Sequence, residues 1–212
     1  MIQSFKDGAA QELFENLSNK RWNAIAKVAL RKLDQIDAAQ NLNDLRVPPG
    51  NQLEALKKDR ARQHSIRIND QYRIYFIWKS DGAHQVEITD YHSTANQADG
   101  RRLSMIIKRP TSGWEFRRVT TSPGEMLQEE FLGPLGITKN ALAMKIRVPA
   151  TRIGDIIHGK RAITPDTALR LARFFGNSPE FWLNLQQMHD LSKARLELGK
   201  TIEHEVEAFV GA

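Results

Sequence analysis

The chain has no cysteine among its 212 residues. That excludes disulfides and thiolate zinc sites, and it fits a reducing compartment. No apolar run approaches the roughly 18–20 residues that would span a bilayer. The start, Met1-Ile2-Gln3-Ser4-Phe5-Lys6, lacks the apolar stretch of a signal peptide. No internal repeat or low-complexity tract is present. No His, Asp or Glu arrangement has a recognisable metal-ligand spacing. The expectation is a soluble cytoplasmic protein with no metal, no cofactor and no membrane partner.

What is present is ordinary core-building material in two instalments. Hydrophobic residues make up 41% of the chain, and the length suits two domains of about 90–100 residues. Net charge is +6. Residues 1–92 hold 14 basic and 12 acidic residues, 93–122 hold 6 and 2, and 123–212 hold 11 and 11. Within the balanced parts the cations cluster. Lys57, Lys58, Arg60, Arg62, Arg67 and Arg73 face only Asp59 and Asp70, while Lys139, Lys145, Arg147, Arg152, Lys160 and Arg161 face only Asp155. Two such clusters suit two phosphate-backbone contacts, and solvated surface charge is the plainer alternative for each.

Helical spacing of Leu13, Leu17, Ile25, Val28, Ala29, Leu33 and Ile36 predicts helices over Gly8–Ser18 and Lys20–Asp37. After the break at Pro48-Pro49-Gly50, strands are predicted at Leu53–Leu56, Ser65–Ile68, Tyr72–Trp78 and Gln85–Asp90, with Ser80-Asp81-Gly82 as a hairpin turn. Alternation in Ile66-Arg67-Ile68 and Tyr72-Arg73-Ile74 aims the arginines at the sheet face away from the helices. Residues 93–122 read as linker and insert, and whether Trp114, Glu115, Phe116 and Val119 dock or stay unstructured is open. From Pro123 the chain reads as helix: Gly124–Leu132, Lys139–Arg147, Ala150–His158, Pro165–Phe175 and Pro179 to about Leu198, with start signals at Thr138, Thr164-Pro165 and Ser178-Pro179. The expected organisation is an α+β domain over 1–92, two helices on a small antiparallel sheet. An all-α helix-turn-helix domain over 123–198 and a tail over 199–212 follow.

Several fragments of the first unit stand in a specific order: Leu45-Arg46-Val47-Pro48-Pro49-Gly50, Leu53-Glu54-Ala55-Leu56-Lys57, Asp59-Arg60, Ser65-Ile66-Arg67-Ile68, Tyr72-Arg73-Ile74 and Asp90-Tyr91-His92. Together they resemble the HigB-type branch of the RelE-like toxins, ribosome-dependent messenger-RNA cutters. The second unit carries Pro123-Gly124-Glu125-Met126-Leu127, Ile137-Thr138, Ala141-Leu142-Ala143, Gly159-Lys160-Arg161-Ala162-Ile163-Thr164 and Ser178-Pro179-Glu180-Phe181-Trp182. It resembles the HigA-type antitoxins. The resemblance implies a fused toxin–antitoxin. A metal-independent endoribonuclease, active at least as an isolated domain, would be restrained by a DNA-binding unit that represses its own operon. The alternatives are a repressor carrying an inactive toxin-like scaffold, and an active nuclease with a helix-turn-helix unit that only inhibits. Implied partners are operator DNA, the ribosome with its messenger RNA, and a contact between the two units within or between chains. A homodimer through the helix-turn-helix domain is also implied.

Metal-free RNA cleavage uses the 2′-hydroxyl as nucleophile, with a base for that hydroxyl, cations for the phosphate and an acid for the leaving oxygen. Arg73, Arg67 and Lys57 can supply cations, Asp90 or Glu54 the base, His92 the acid, and Tyr91 a stacking surface. Lys58 and Arg60 extend the RNA-binding surface. Some relatives carry histidine where this chain has Glu54, which cannot imitate an imidazolium acid near neutral pH. In the second unit, the helix after the turn belongs in the major groove. Thr151, Arg152, Asp155 and His158 lead its exposed face, with Arg152 expected at a guanine. Thr138, Lys139, Lys160, Arg161 and Thr164 sit where phosphates are gripped. The run Gly100-Arg101-Arg102 before Met105 reads as a translated ribosome-binding site, as though a stop codon between two genes had been lost.

Overall fold

The computed structural model describes residues 1–17, 19–57, 60–91 and 106–209. The first unit is built on a mixed six-stranded sheet in the order β2-β3-β4-β5-β1-β6. Its strands are β1 (Ser4–Phe5), β2 (Glu54–Ala55), β3 (Gln63–Arg67), β4 (Tyr72–Lys79), β5 (Gly82–Asp90) and β6 (Ile107–Lys108). The expected sheet was small and antiparallel. The difference lies at one edge, where β1 pairs parallel with β5 and β6 pairs antiparallel with β1. Two-residue strands are too short to show a period of two, so neither is legible in the sequence. The hairpin between β4 and β5 closes through Ser80-Asp81, with Lys79 opposite Gly82. Gly82 has φ +129° and lies so close to the Met1 carbonyl that an added Cβ would fall 2.0 Å from its oxygen.

Alternation sorts the sheet into two faces. Ile66, Ile74, Phe76, Val86 and Ile88 join the core against the helices. Ser65, Arg67, Arg73, Tyr75 and Glu87 take the other face, following the pairing of Arg67 with Arg73 and of Tyr75 with Glu87. The helices are α1 (Gly8–Glu15), started by the Asp7 carboxylate, and α2 (Ala26–Ala38), with a short α3 (Leu42–Arg46) after it. Both long helices are shorter than their spacing predicts. The Asn19 side chain accepts from Arg21 N at 2.9 Å, a local turn that competes with helix between them.

The second unit begins with α4 (Pro123–Met126), runs through a π-helical stretch (Leu127–Leu132) into α5 (Gly133–Leu135), and ends that arm at Gly136. Then come α6 (Lys139–Lys145), α7 (Ala150–Ile157), α8 (Pro165–Phe175) and α9 (Pro179–Glu205). Thr138 caps α6 by accepting from Ala141 N at 3.1 Å, and Ser178 caps α9 by accepting from Phe181 N at 3.2 Å. Leu142, Ile146, Ile153, Ile156, Phe131, Phe181, Trp182 and Leu185 form the core. Helix α9 continues beyond the expected end near Leu198, because residues 193–205 are mostly strong helix formers.

The two units share α2 as a common layer. Its apolar side, Ala29, Leu33 and Ile36, meets the sheet. Its other side carries Arg31, Lys32, Asp34, Gln35 and Asp37, and every residue from Ala29 to Ala38 is buried. Ala38 belongs to the second core rather than the first. Within the stretch expected as linker and insert, residues 106–122 are described and they pack. β6 extends the sheet, and Trp114 sits in the first core at 2% exposure.

Candidate functional site

On the open sheet face, Arg73 is the centre of a polar cluster. Strand β4 delivers it, and its neighbours are set by register. Arg73 Nη1 donates to Ser65 Oγ at 3.0 Å, and its guanidinium reaches both carboxylate oxygens of Glu54 at 3.2 and 3.3 Å. Its Cζ lies 5.0 Å from the Tyr91 ring centroid, within cation–π range. The residue was expected to be exposed. It is 8% exposed, because Ser65, Glu54 and Tyr91 enclose it.

A second cluster adjoins it. Glu87 accepts from Arg60 Nη1 at 2.8 Å and from Lys6 Nζ at 2.9 Å. Arg60 Cζ lies 4.4 Å from the Tyr75 ring centroid. Burial pushes the Tyr75 phenol above its usual range, while Arg60 and Arg73 pull the other way. Asp90 accepts from Gln71 Nε2 at 2.8 Å, and Tyr91 N donates to Gln71 O at 2.7 Å, so the strand end is fixed to the turn before β4. Glu54, Arg73, Tyr91 and Arg60 are thus brought onto one face. Arg67 pairs with Asp70 at the margin, and Lys57 is exposed. Lys58 and His92 lie outside the described residues.

Sequence reasoning missed Tyr75, Glu87, Ser65 and Lys6. The signal for the first three was available, since alternation puts Ser65 and Tyr75 on the arginine face and register puts Glu87 opposite Tyr75. Lys6 follows the short β1 and leaves no pattern.

In the second unit, α6 and α7 present a polar surface with exposed Thr138, Lys139, Thr151, His158, Lys160, Arg161 and Thr164. Arg152 is held, with Nη1 donating to Asp166 Oδ2 at 2.7 Å while Arg170 Nε donates to Asp166 Oδ1 at 2.8 Å. Hydrogen bonds from Arg170 and Arg152 hold the Asp166 carboxyl below its usual range. Asp155 lies 3.8 Å from Arg161 Nε. His158 Nδ1 and the Gly154 carbonyl oxygen lie 2.7 Å apart, so that ring is tied back to its own helix. A Cβ at Gly154 would meet nothing within 4 Å. Gly124 is the tight position, where a Cβ would fall 2.0 Å from Ile156 O. That glycine seats α4 against the helix that carries Arg152.

Polar contacts hold the units together. Glu130 is reached by Arg31 Nε at 2.9 Å and also by Lys32, while Lys32 Nζ donates to Asn51 Oδ1 at 2.6 Å. Two cations hold the Glu130 carboxyl below its usual range against the opposing pull of burial. Burial lowers Lys32 despite that same pairing. Asp44 accepts from Ser178 N at 2.7 Å and Ser178 Oγ at 2.8 Å, and Asn184 Nδ2 donates to Ala38 O at 2.9 Å. These contacts run along α2 and α3, on the far side of the sheet from Arg73.

Among the described residues, no group of three His, Cys, Asp or Glu side chains is placed to hold a metal ion. No helix there is long and apolar enough to cross a membrane.

Comparison with known proteins follows the same division. Residues 3–92 match the family described as RelE-like toxin of type II toxin-antitoxin system HigB, and residues 128–182 match a helix-turn-helix family. Toxin HigB-1 of Vibrio cholerae is 40% identical over 80 residues, which is 37% of this chain and 84% of that protein. Antitoxin HigA-1 of the same organism is 44% identical over 79 residues, 37% of this chain and 74% of that protein. The solved structure of Pseudomonas aeruginosa antitoxin HigA with higBA promoter is 42% identical, covering 44% of this chain and 100% of that one, with a TM-score of 0.42. With a HigB-like toxin domain followed by a HigA-like helix-turn-helix domain on one polypeptide, the chain belongs to the HigB–HigA family of type II toxin–antitoxin proteins.

Proposed function

We propose that the chain is a self-restrained messenger-RNA endonuclease joined to a repressor of its own operon. The observation that carries this reading is the placement of the polar cluster around Arg73 on one sheet face while the helix-turn-helix unit occupies the opposite side of the same domain. Arg73 and Arg60 would take the scissile phosphate, Lys57 and Arg67 its neighbours, and Tyr91 a base. Glu54 would draw the proton from the 2′-hydroxyl, since the register sets Asp90 opposite Tyr72 on the helix side of the sheet rather than on the Arg73 face, and His92 would protonate the leaving oxygen. Arg73 and Arg60 already pair with Glu54 and Glu87, so RNA has to displace or share those carboxylates. Because the second unit lies along α2, restraint comes from its bulk at the ribosome rather than from a plug in the site. The pairing of Arg73 with Glu54 is also what a scaffold with lost activity would show, and that is the competing reading.

The second unit would bind operator DNA as a dimer. Paired recognition helices about 34 Å apart match successive major grooves. Arg152 would leave Asp166 to contact a base edge, while Thr138, Lys139, Lys160, Arg161 and Thr164 grip phosphates and Thr151, Asp155 and His158 flank the reader. The test is binding of the full chain to its upstream DNA and to a scrambled duplex across salt concentrations. Arg152→Ala is expected to cost about 1–3 kcal/mol on the operator and relax one base position. Lys160→Ala is expected to weaken both duplexes alike and flatten the salt slope by about one unit. Equal loss on both duplexes for Arg152→Ala would leave the cluster as an electrostatic grip only.

A further inference from the structure

Residues 106–121 lie outside both matched domains, yet they complete the first one. β6 covers the edge of β1, and the next residue continues the pairing, with Arg109 N donating to Gln3 O at 2.8 Å. Trp114 then fills a cleft, its ring centroid 5.1 Å from that of Phe5 and 6.3 Å from that of Phe14, while Nε1 donates to Ile2 O at 3.0 Å. Phe116 lies 5.0 Å from Phe14 on its outer side. Arg117 N donates to Glu15 O at 2.8 Å. Arg118, 2% exposed, donates through Nε to Phe14 O at 2.7 Å and through both Nη atoms to Asp34 at 3.1 and 2.5 Å. Thr121 adds two donors to Asp34, at 2.8 and 2.7 Å.

All of those receiving groups belong to the first 34 residues: Ile2, Gln3, Phe5, Phe14, Glu15 and Asp34. The recognition combines main-chain pairing at a sheet edge, one aromatic pocket and one buried carboxylate, which is how strand-addition grooves read peptides. We infer that the toxin-like unit carries a peptide-binding groove along β1, separate from the Arg73 face. Its ligand is a segment that pairs as a short strand, turns at Thr111-Ser112, and presents an indole six residues after the strand and an arginine four residues further on. The occupant is the 106–121 segment of the same chain, seated in cis. Covalent linkage keeps the cis segment at high effective concentration, so it excludes a competitor until its own anchors are lost.

The test uses a labelled peptide of residues 106–121 titrated onto the full chain and onto a full chain carrying Trp114→Ala with Arg118→Gln. The variant is expected to bind the peptide about tenfold or more tightly than the unaltered chain. A peptide with the same two substitutions is expected to bind neither. A folded variant that binds no peptide, or binds it no better than the unaltered chain, overturns the inference. Where the variant loses its helical circular-dichroism signal, Trp114→Phe with Arg118→Gln keeps an aromatic filler and is read by the same outcomes. Neither activity enters the measurement, so failure here leaves the RNA and DNA readings standing.

Discussion

At Arg73 a proposed role in chemistry coincides with a structural one. An exposed strand arginine could be removed without cost to the fold, but this one is enclosed by Ser65, Glu54 and Tyr91. Arg73→Ala is therefore expected to abolish ribosome-coupled cleavage and also to destabilise the domain by about 1.5–3 kcal/mol in denaturant unfolding, since it removes charge-assisted hydrogen bonds. Arg73→Lys separates the two effects. It keeps the charge but loses the two-pronged geometry, so cleavage should fall much further than stability. Full cleavage by a folded Arg73→Ala protein would remove this residue from the site. Face and register made Arg73 legible as a candidate, but not its enclosure, because a strand expected at Leu53–Leu56 does not itself say that it pairs with β3 and sets Glu54 beside Arg73.

Among the elements, α2 was the easiest to find and the hardest to interpret. The spacing of Ala29, Leu33 and Ile36 identifies the helix and its sheet-facing side. Arg31, Lys32, Asp34 and Asp37 make the other side look solvated, yet the second unit buries it. A charged face buried against another unit has the same period as one facing water, so periodicity cannot distinguish them. The 106–121 segment escaped for a related reason, since its anchors are single residues separated by turns. Two glycines test how α7 is held. Gly124→Ala would drive a Cβ into the Ile156 carbonyl, and it should cost about 1–3 kcal/mol and weaken operator binding. Gly154→Ala enters open space and should stabilise the helix by up to about 1 kcal/mol. A loss of operator affinity in a stabilised Gly154→Ala protein would mean that DNA approaches closely there. Thermal unfolding and duplex binding of both variants check the pair.

For the molecule as a whole, the joint between units should respond to acid. Two cations depress the Glu130 carboxyl below its ordinary value of 4.5. A depressed carboxylate stabilises the folded state above its unfolded pKa, and that contribution is lost as pH falls through the lower folded value. Stability contributed by this joint should therefore be level from neutrality down to about pH 5 and decline below about 4.5. Glu130→Gln should weaken the joint at neutral pH and remove part of that acid decline. Calorimetry across pH on both proteins checks it, and an unchanged acid limb would take Glu130 out of the joint's acid response.

A proposed nuclease face around Arg73 that is restrained by the unit docked on α2 should act once that unit is removed. The most direct measurement compares the full chain with a chain ending at residue 122 in a translating extract, mapping cleavage of the translated message. The shorter chain retains Trp114 and Arg118 in the first core, and loss of the second unit exposes a face of α2 rich in charge. Residues 1–122 are expected to cut messages only when ribosomes are translating them, and the full chain is expected to leave them intact. A soluble, folded 1–122 that leaves every translated message whole would contradict it and make the first unit a scaffold for the DNA-binding half.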